Sequence, residues 1–333
     1  MKKKMKMKLG LPQIQLTLKA GLVLSKEWME LMEWNLMVEV LPHPQIEVGP
    51  SRSLRLVMNI IAWNCRGALK PNFQDRVRDL VREHDPAIFV VMETKLGGTR
   101  AKQITDRLPF DGAIHTDTIG FARGLWLLWD SSKVEVFLLS KTKQEIHVSV
   151  KVHSLDSTYF FSAIYASPRL AERHVLWNNL CLFAELHNMP WFIARDFNEP
   201  LSSEDKFGGR VVNSSRVVNS SRVVNSSRSL EFKECLDCCN MIDLGLTGPR
   251  FTWTNKREVG ALIQERIDKF FVNPSWCTTY PDAKIFHLTR CHSDHCPVLL
   301  ESKPINQRHL PRPFKFYSCW LADLSFPKIV SQA

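Results

Sequence analysis

The chain has 333 residues, 44% of them hydrophobic, enough to bury one large core or two modest ones. No apolar run reaches the roughly 18–20 residues of a membrane helix, and lysine-rich Met1–Lys8 is not followed by a secretory apolar stretch, so the expectation is a chain neither secreted nor membrane-embedded. The net charge of +10 sits mainly at the ends, because residues 58–302 hold 30 basic and 28 acidic side chains; it argues only weakly for a polyanion partner.

Residues 1–57 stand apart from the rest of the chain. Leu41-Pro42-His43-Pro44 and Gly49-Pro50 read as breaks, and Trp28–Val40 as one short helix in an N-terminal appendage. From Met58 short apolar runs alternate with amphipathic stretches. Asn59–Trp63 reads as a buried strand. Phe73–His84 reads as a helix, with Phe73, Val77, Leu80 and Val81 on one face. Ile88–Met92 is a second strand ending at Glu93. Gly124–Trp129, Val134–Leu139, Ile146–Val152 and Tyr159–Ile164 follow as strands without intervening helices. Ala171–His187 reads as a helix, Trp191–Ala194 as a strand ending at Asp196, and Leu230–Asn240 as a helix. Phe251–Thr254, Ile267–Val272, Ile285–Leu288 and Val298–Leu300 complete the strands. βα units mixed with strand-only meanders predict an α/β fold: a four-layer α/β/β/α sandwich of two packed mixed sheets with helices outside.

Arg210–Ser227 is Arg-Val-Val-Asn-Ser-Ser three times over. A period of six is too short for a solenoid unit, so it reads as a tandem duplication lengthening a surface loop (210–228), which closure entropy tolerates. Nine cysteines, an odd number without framework spacing, fit free thiols in a reducing compartment, nucleus or cytoplasm. Cys235 and Cys239, at helical i, i+4 spacing, read as buried free cysteines rather than as zinc ligands paired with Cys291 and Cys296. Trp126, Trp129, Trp177 and Trp191 sit in apolar runs and read as core.

Four polar clusters share one position type, the end of a predicted strand: Asn64, Glu93, Asp196 with Asn198, and Ser293-Asp294-His295. Taken singly each has a plain reading as a turn cap, a solvated strand end or an Asx turn. Taken together, carboxylates, amides and one histidine are hard, oxygen-rich groups suited to Mg²⁺.

The series Trp63-Asn64-Cys65-Arg66-Gly67, Glu93-Thr94-Lys95, Ile164-Tyr165-Ala166-Ser167-Pro168, Asp196-Phe197-Asn198, Phe251-Thr252-Trp253, Arg266-Ile267-Asp268 and Ser293-Asp294-His295-Cys296-Pro297 resembles the endonuclease/exonuclease/phosphatase superfamily. It is most similar to the apurinic-type endonuclease domain of plant LINE-type (non-LTR) retrotransposons, over about Met58–Ser302. Residues 303–333, through Arg312-Pro313-Phe314-Lys315-Phe316, resemble a truncated connector to the polymerase of such elements. The resemblance implies a DNase I-like fold and a Mg²⁺- (or Mn²⁺-) dependent phosphodiester hydrolase that nicks double-stranded DNA and leaves a 3′-hydroxyl. It implies that Glu93 binds the metal with Asn64 and Asp294, and that Asp196 activates the attacking water. Asn198, His295 and Tyr165 would contact the scissile phosphate, Asp268 would orient His295, and Trp253 would stack on nucleic acid. No obligate protein partner is implied.

Two residues depart from the family pattern. Arg195 replaces the glycine before Asp196, and Arg123 replaces a small residue. Strand neighbours point to opposite faces, so with Asp196 facing the site Arg195 either points between layers, where an unpaired charge is costly, or curls back to pair with Asp196 and lowers its basicity; either way impaired activity is expected. A catalytically silent remnant that at most binds nucleic acid, and a phosphoesterase acting on RNA or a phospholipid, remain alternatives.

Overall fold

The computed structural model describes residues 58–302 except 117, 119–123, 155–156, 199 and 210–225, and except the side chains of 195 and 226–228. The appendage with its expected helix, the connector at 303–333, most of the hexapeptide repeat, Arg123 and the Arg195 side chain therefore lie outside the described residues.

The chain runs β1 (Asn59–Asn64), α1 (Phe73–His84), β2 (Ile88–Met92), α2 (Gly98–Thr105), β3 (Gly112–His115), β4 (Leu125–Trp129), β5 (Val134–Lys141), β6 (Glu145–Val152) and β7 (Ser157–Tyr165). It continues with α3 (Leu170–Glu185), β8 (Trp191–Asp196), β9 (Lys206–Phe207), α4 (Ser226–Cys238), β10 (Ile242–Asp243), β11 (Trp253–Thr254), β12 (Gln264–Glu265), β13 (Asp268–Val272), α5 (Pro274–Thr279), β14 (Lys284–His287) and β15 (Val298–Glu301). One six-stranded sheet has the order β14-β15-β1-β2-β4-β3 and the other β10-β13-β8-β7-β6-β5. Each is mixed: β1 and β2 are parallel, as are β7 and β8, and the remaining pairs are antiparallel.

Alternation along the strands builds the layers. On β1, Ile60 and Ala62 enter the core between the sheets, against Val148, Phe161, Phe192 and Phe270 of the second sheet. Ile61 and Trp63 point the other way, onto Phe73, Val77 and Leu80 of α1. Phe160, Ile164, Trp191 and Ile193 form the outer face of the second sheet, covered by Leu176, Leu180 and Phe183 of α3 and by Phe232 of α4. The result is the expected α/β/β/α sandwich. No helix among the described residues is long and apolar enough to cross a membrane.

Helix α1 follows directly from sequence, with buried positions at i, i+4 and i+7. It ends at Asp85, whose left-handed backbone (φ 45°) lets its N–H reach the Val81 carbonyl. Six short elements have no counterpart in the periodicity reading: α2, β3, β10, β12, α5 and the two-residue β9. They are too short for a period to emerge. Of the predicted Phe251–Thr254 strand only β11 forms, and it joins a small third sheet, β11-β12-β9, beside the two large ones. The helix expected at Leu230 begins earlier, at Ser226, and ends at Cys238. Just after β9 a Cβ on Gly208 would collide with the Leu262 carbonyl oxygen, so the turn leading into the repeat demands glycine there.

Candidate active site

Parallel pairing puts the carboxyl ends of β1, β2, β7 and β8 at one edge of the sandwich. Strand interiors are occupied by core side chains, so the first polar residue past each run is the one presented at that rim. In the second sheet Tyr165, Asp196 and Asp268 lie side by side in register across β7, β8 and β13. In the first sheet Asn64 ends β1 and Glu93 follows β2. Residues 293–295 reach the same rim just before β15, where His295 bridges to Trp253 of β11.

The side chains form two hydrogen-bonded groups that meet at ion-pair distance. Asn64 Nδ2 donates to Asp196 Oδ2 at 2.8 Å and to Glu93 Oε1 at 3.1 Å, joining the two sheets. Tyr165 Oη donates to Glu93 Oε1 at 3.0 Å. His295 Nδ1 lies 2.9 Å from Asp268 Oδ2 and 4.0 Å from Asp196 Oδ2. Ser293 Oγ donates to the Asn64 carbonyl (2.8 Å) and accepts the His295 N–H (3.2 Å), fixing the loop to β1. Thr252 Oγ1 accepts the Asp268 N–H at 3.1 Å. Asn64, Glu93, Tyr165, Asp196, Asp268, Asp294 and His295 thus converge as the sequence led one to expect, and Trp253 joins them through its Nε1, which donates to Asp294 Oδ2 at 2.9 Å. Asn198 is held at the edge of the cluster, its side chain donating to the Ala166 carbonyl at 2.8 Å. The Asx-turn reading of the Asp-x-Asn pair also holds, since Asp196 Oδ1 accepts the Asn198 N–H at 2.9 Å.

Three non-glycine residues of this rim have left-handed backbones: Arg66 (φ 56°), Glu93 (φ 49°) and Asn198 (φ 50°). Each costs of order 1 kcal/mol and persists only where surrounding contacts fix it.

Arg66 is the residue sequence reasoning passed over, although it stands inside the first motif. Its Nη2 reaches Asp294 Oδ2 at 2.6 Å and its Nη1 reaches Glu93 Oε2 at 3.4 Å. Its guanidinium is thus the cation that two carboxylates share. Asp294, though burial alone would raise its pKa, is held well below the usual carboxylate range by the hydrogen bonds from Arg66 and the nearby charges. Deep burial, then the neighbouring Asp268 charge, push Asp196 up to about 7. Burial opposes charge on His295, but Asp268 and Asp196 outweigh it and raise the imidazole to about 9. One ligand atom each from Asp196, Asp268 and His295 lies within 4.8 Å of the others. His295 Nδ1 is already paired with Asp268 Oδ2 at 2.9 Å, so this trio reads as a proton-sharing group rather than a cation cage.

The geometry has counterparts among solved structures. An AP endonuclease, LMAP, from Leishmania major is 16% identical, with a TM-score of 0.57, covering 84% of this chain and 99% of its own. The endonuclease domain of TRAS1, a telomere-specific non-LTR retrotransposon, is 12% identical, with a TM-score of 0.53, covering 75% and 100%. A point variant of the 3′ phosphatase NExo from Neisseria, bound to product DNA hairpin, is 19% identical, with a TM-score of 0.52, covering 73% and 98%. These likenesses speak for the fold. No curated protein sequence matches. Residues 61–295, from the middle of β1 to the rim histidine, match the Endonuclease/Exonuclease/phosphatase family, and the chain belongs to it.

Proposed function

We propose that the protein is a divalent-metal-dependent phosphodiester hydrolase that nicks double-stranded DNA and leaves a 3′-hydroxyl, of retrotransposon origin. The observation that carries this is the network Glu93–Asn64–Asp196–His295–Asp268, which crosses from one sheet to the other at a single rim. The retrotransposon and DNA elements rest on the motif resemblance, supported by similar folds that include an AP endonuclease, a retrotransposon endonuclease domain and a phosphatase bound to a DNA hairpin.

The donor set fits Mg²⁺. Glu93 and Asp294 supply hard carboxylate oxygens that already converge on one cationic group, the Arg66 guanidinium. Glu93 would hold the ion, helped by Asn64 and Asp294. Bound there, Mg²⁺ (or Mn²⁺) supplies Lewis-acid stabilisation of the charge that builds on the phosphoryl oxygens.

The chain's own residues divide the remaining work. Asp196, with its pKa raised towards neutrality, takes the proton of the attacking water. His295, protonated and held by Asp268, donates a hydrogen bond to a phosphoryl oxygen. Asn198 adds an amide donor at the same phosphate. Tyr165 fixes the Glu93 carboxylate and contacts the phosphate from β7. The indole of Trp253, half-buried beside Asp294, offers a stacking face. Arg195 in place of glycine lowers activity without abolishing it.

Supercoiled plasmid tests the reading. Nicking with Mg²⁺ that stops with chelator and is lost in His295→Ala supports it, as does extension of the nicked product by a DNA polymerase, which requires a 3′-hydroxyl. Equal nicking by His295→Ala would end it.

A further inference from the structure

On the helical side of the second sheet, between the rim motifs in sequence, four cysteines come together. Cys181 sits on α3, Cys235 and Cys238 on α4, and Cys239 continues the same turn, its N–H bonded to the Cys235 carbonyl at 3.0 Å. The Sγ atoms of Cys181, Cys235 and Cys239 lie within 4.8 Å of one another. The Cys238 thiol lies close enough to that of Cys181 to influence it. Cys235 and Cys239 are buried, Cys181 is half-buried and Cys238 is exposed. The cluster differs from the pairing weighed from sequence: Cys181, which no motif flagged, takes the place of Cys291 and Cys296.

We propose that Cys181, Cys235, Cys238 and Cys239 form a four-thiolate site for a soft divalent cation of the zinc class, which clamps α4 to α3. In a tetrahedral zinc–thiolate site, bonds of about 2.3 Å put neighbouring sulfurs ~3.8 Å apart. Cys181, Cys235 and Cys239 therefore need side-chain adjustments of about an ångström, and exposed Cys238 closes the fourth position by a change of rotamer. Thiolates select zinc over the hard cations that the carboxylate rim suits. A disulfide accounts for the cluster less well. Cβ atoms one helical turn apart are about 5–6 Å from each other, beyond the roughly 3.5–4.5 Å that a disulfide spans. Cys235 and Cys239 are so related, and a bridge from Cys181 to either would leave two thiols unused. A surface hollow of about 360 Å³ lined by Trp177, Cys181, Glu231 and Cys235 gives an ion a way in. The site lies on the helical side of the second sheet and its role is structural: it adds a clamp to an α4 already packed through Phe232, which meets Phe197 at 4.0 Å and Trp177 at 5.1 Å.

Cobalt(II), which reports thiolate ligands by charge-transfer absorption, is the probe for the reduced full chain. The absorption should saturate at about one equivalent and be bleached by zinc. Cys181→Ser and Cys238→Ser, at the two more accessible positions, should each weaken cobalt binding about tenfold or more while keeping the parent circular dichroism. Cys291→Ser and Asp196→Asn should leave it unchanged, which separates this site from the rim. Zinc should raise the melting temperature of the parent by several degrees and that of Cys181→Ser clearly less. Absence of the charge-transfer band overturns the proposal. So does a band that survives both Cys181→Ser and Cys238→Ser, or a disulfide from Cys181 to α4 that forms as readily with zinc as without.

Discussion

Among the described residues, two buried histidine–carboxylate pairs take their carboxylate from the second sheet, and only one of them sits at the rim. In the rim pair, His295 Nδ1 meets Asp268 at 2.9 Å, with Asp196 alongside. In the other pair, at the start of β6 on the face covered by α3, His147 Nε2 lies 3.2 Å from Glu145 Oε2 and its Nδ1 lies 2.7 Å from Ser162 Oγ. By distance alone the latter would pass for a serine–histidine–glutamate triad. However, Glu145, His147 and Ser162 are all 0% exposed. The imidazole stacks on Phe183 of α3 at 4.4 Å, Trp191 Nε1 donates to the same serine oxygen at 2.8 Å, and Asn179 donates to Glu145 at 2.6 Å. That group is packing between sheet and helix. What distinguishes the rim is not the pair itself. It is the strand ends, a third carboxylate and oxygen ligands next door.

The largest effect that tests this contrast is on turnover. His295→Ala and Asp196→Asn are each expected to lower plasmid nicking by about 10³-fold or more with folding intact, whereas His147→Ala should keep the activity per folded molecule. A comparable loss in His147→Ala, measured below its melting temperature, would erase the distinction. His147→Ala should instead cost about 2–4 kcal/mol in urea unfolding, because it removes the stacking on Phe183 and leaves buried Glu145 and Ser162 each one partner short.

Asp268→Asn should reduce nicking by about 10²-fold and lower the His295 pKa from about 9, readable by NMR titration of the imidazole. The sign for stability follows from a folded pKa raised above the ordinary 6.5: the extra stability is complete below pH 6.5 and is lost as pH rises through 9. The stability gap between parent and Asp268→Asn should therefore shrink across that window, and a gap that widens there would refute the assignment. Arg66→Ala, which removes the cation that Glu93 and Asp294 share, should tighten Mg²⁺ binding several-fold by calorimetry; weaker binding would mean that the arginine supports the carboxylate geometry instead. The smallest change is expected from Arg195→Gly, a gain in nicking of a few-fold, with no gain meaning that the arginine is accommodated.

The sequence alone determined the long, periodic parts of this protein. Phe73–His84 and Ile88–Met92 were legible to the residue, because a helix face and a buried run write their periods over many positions. Polar residues just past apolar runs were legible as rim residues for the same reason. Only the tertiary structure decided what met what. β9, β10 and β12 are two residues long and exist through their partners. Arg66 reaches Asp294, 228 positions away, and Cys181 reaches an α4 thiol cluster, contacts that no local spacing encodes. Local periodicity fixes which face of an element is buried, whereas long-range packing sets which charges and thiols share that space, and the chemistry depends on the latter.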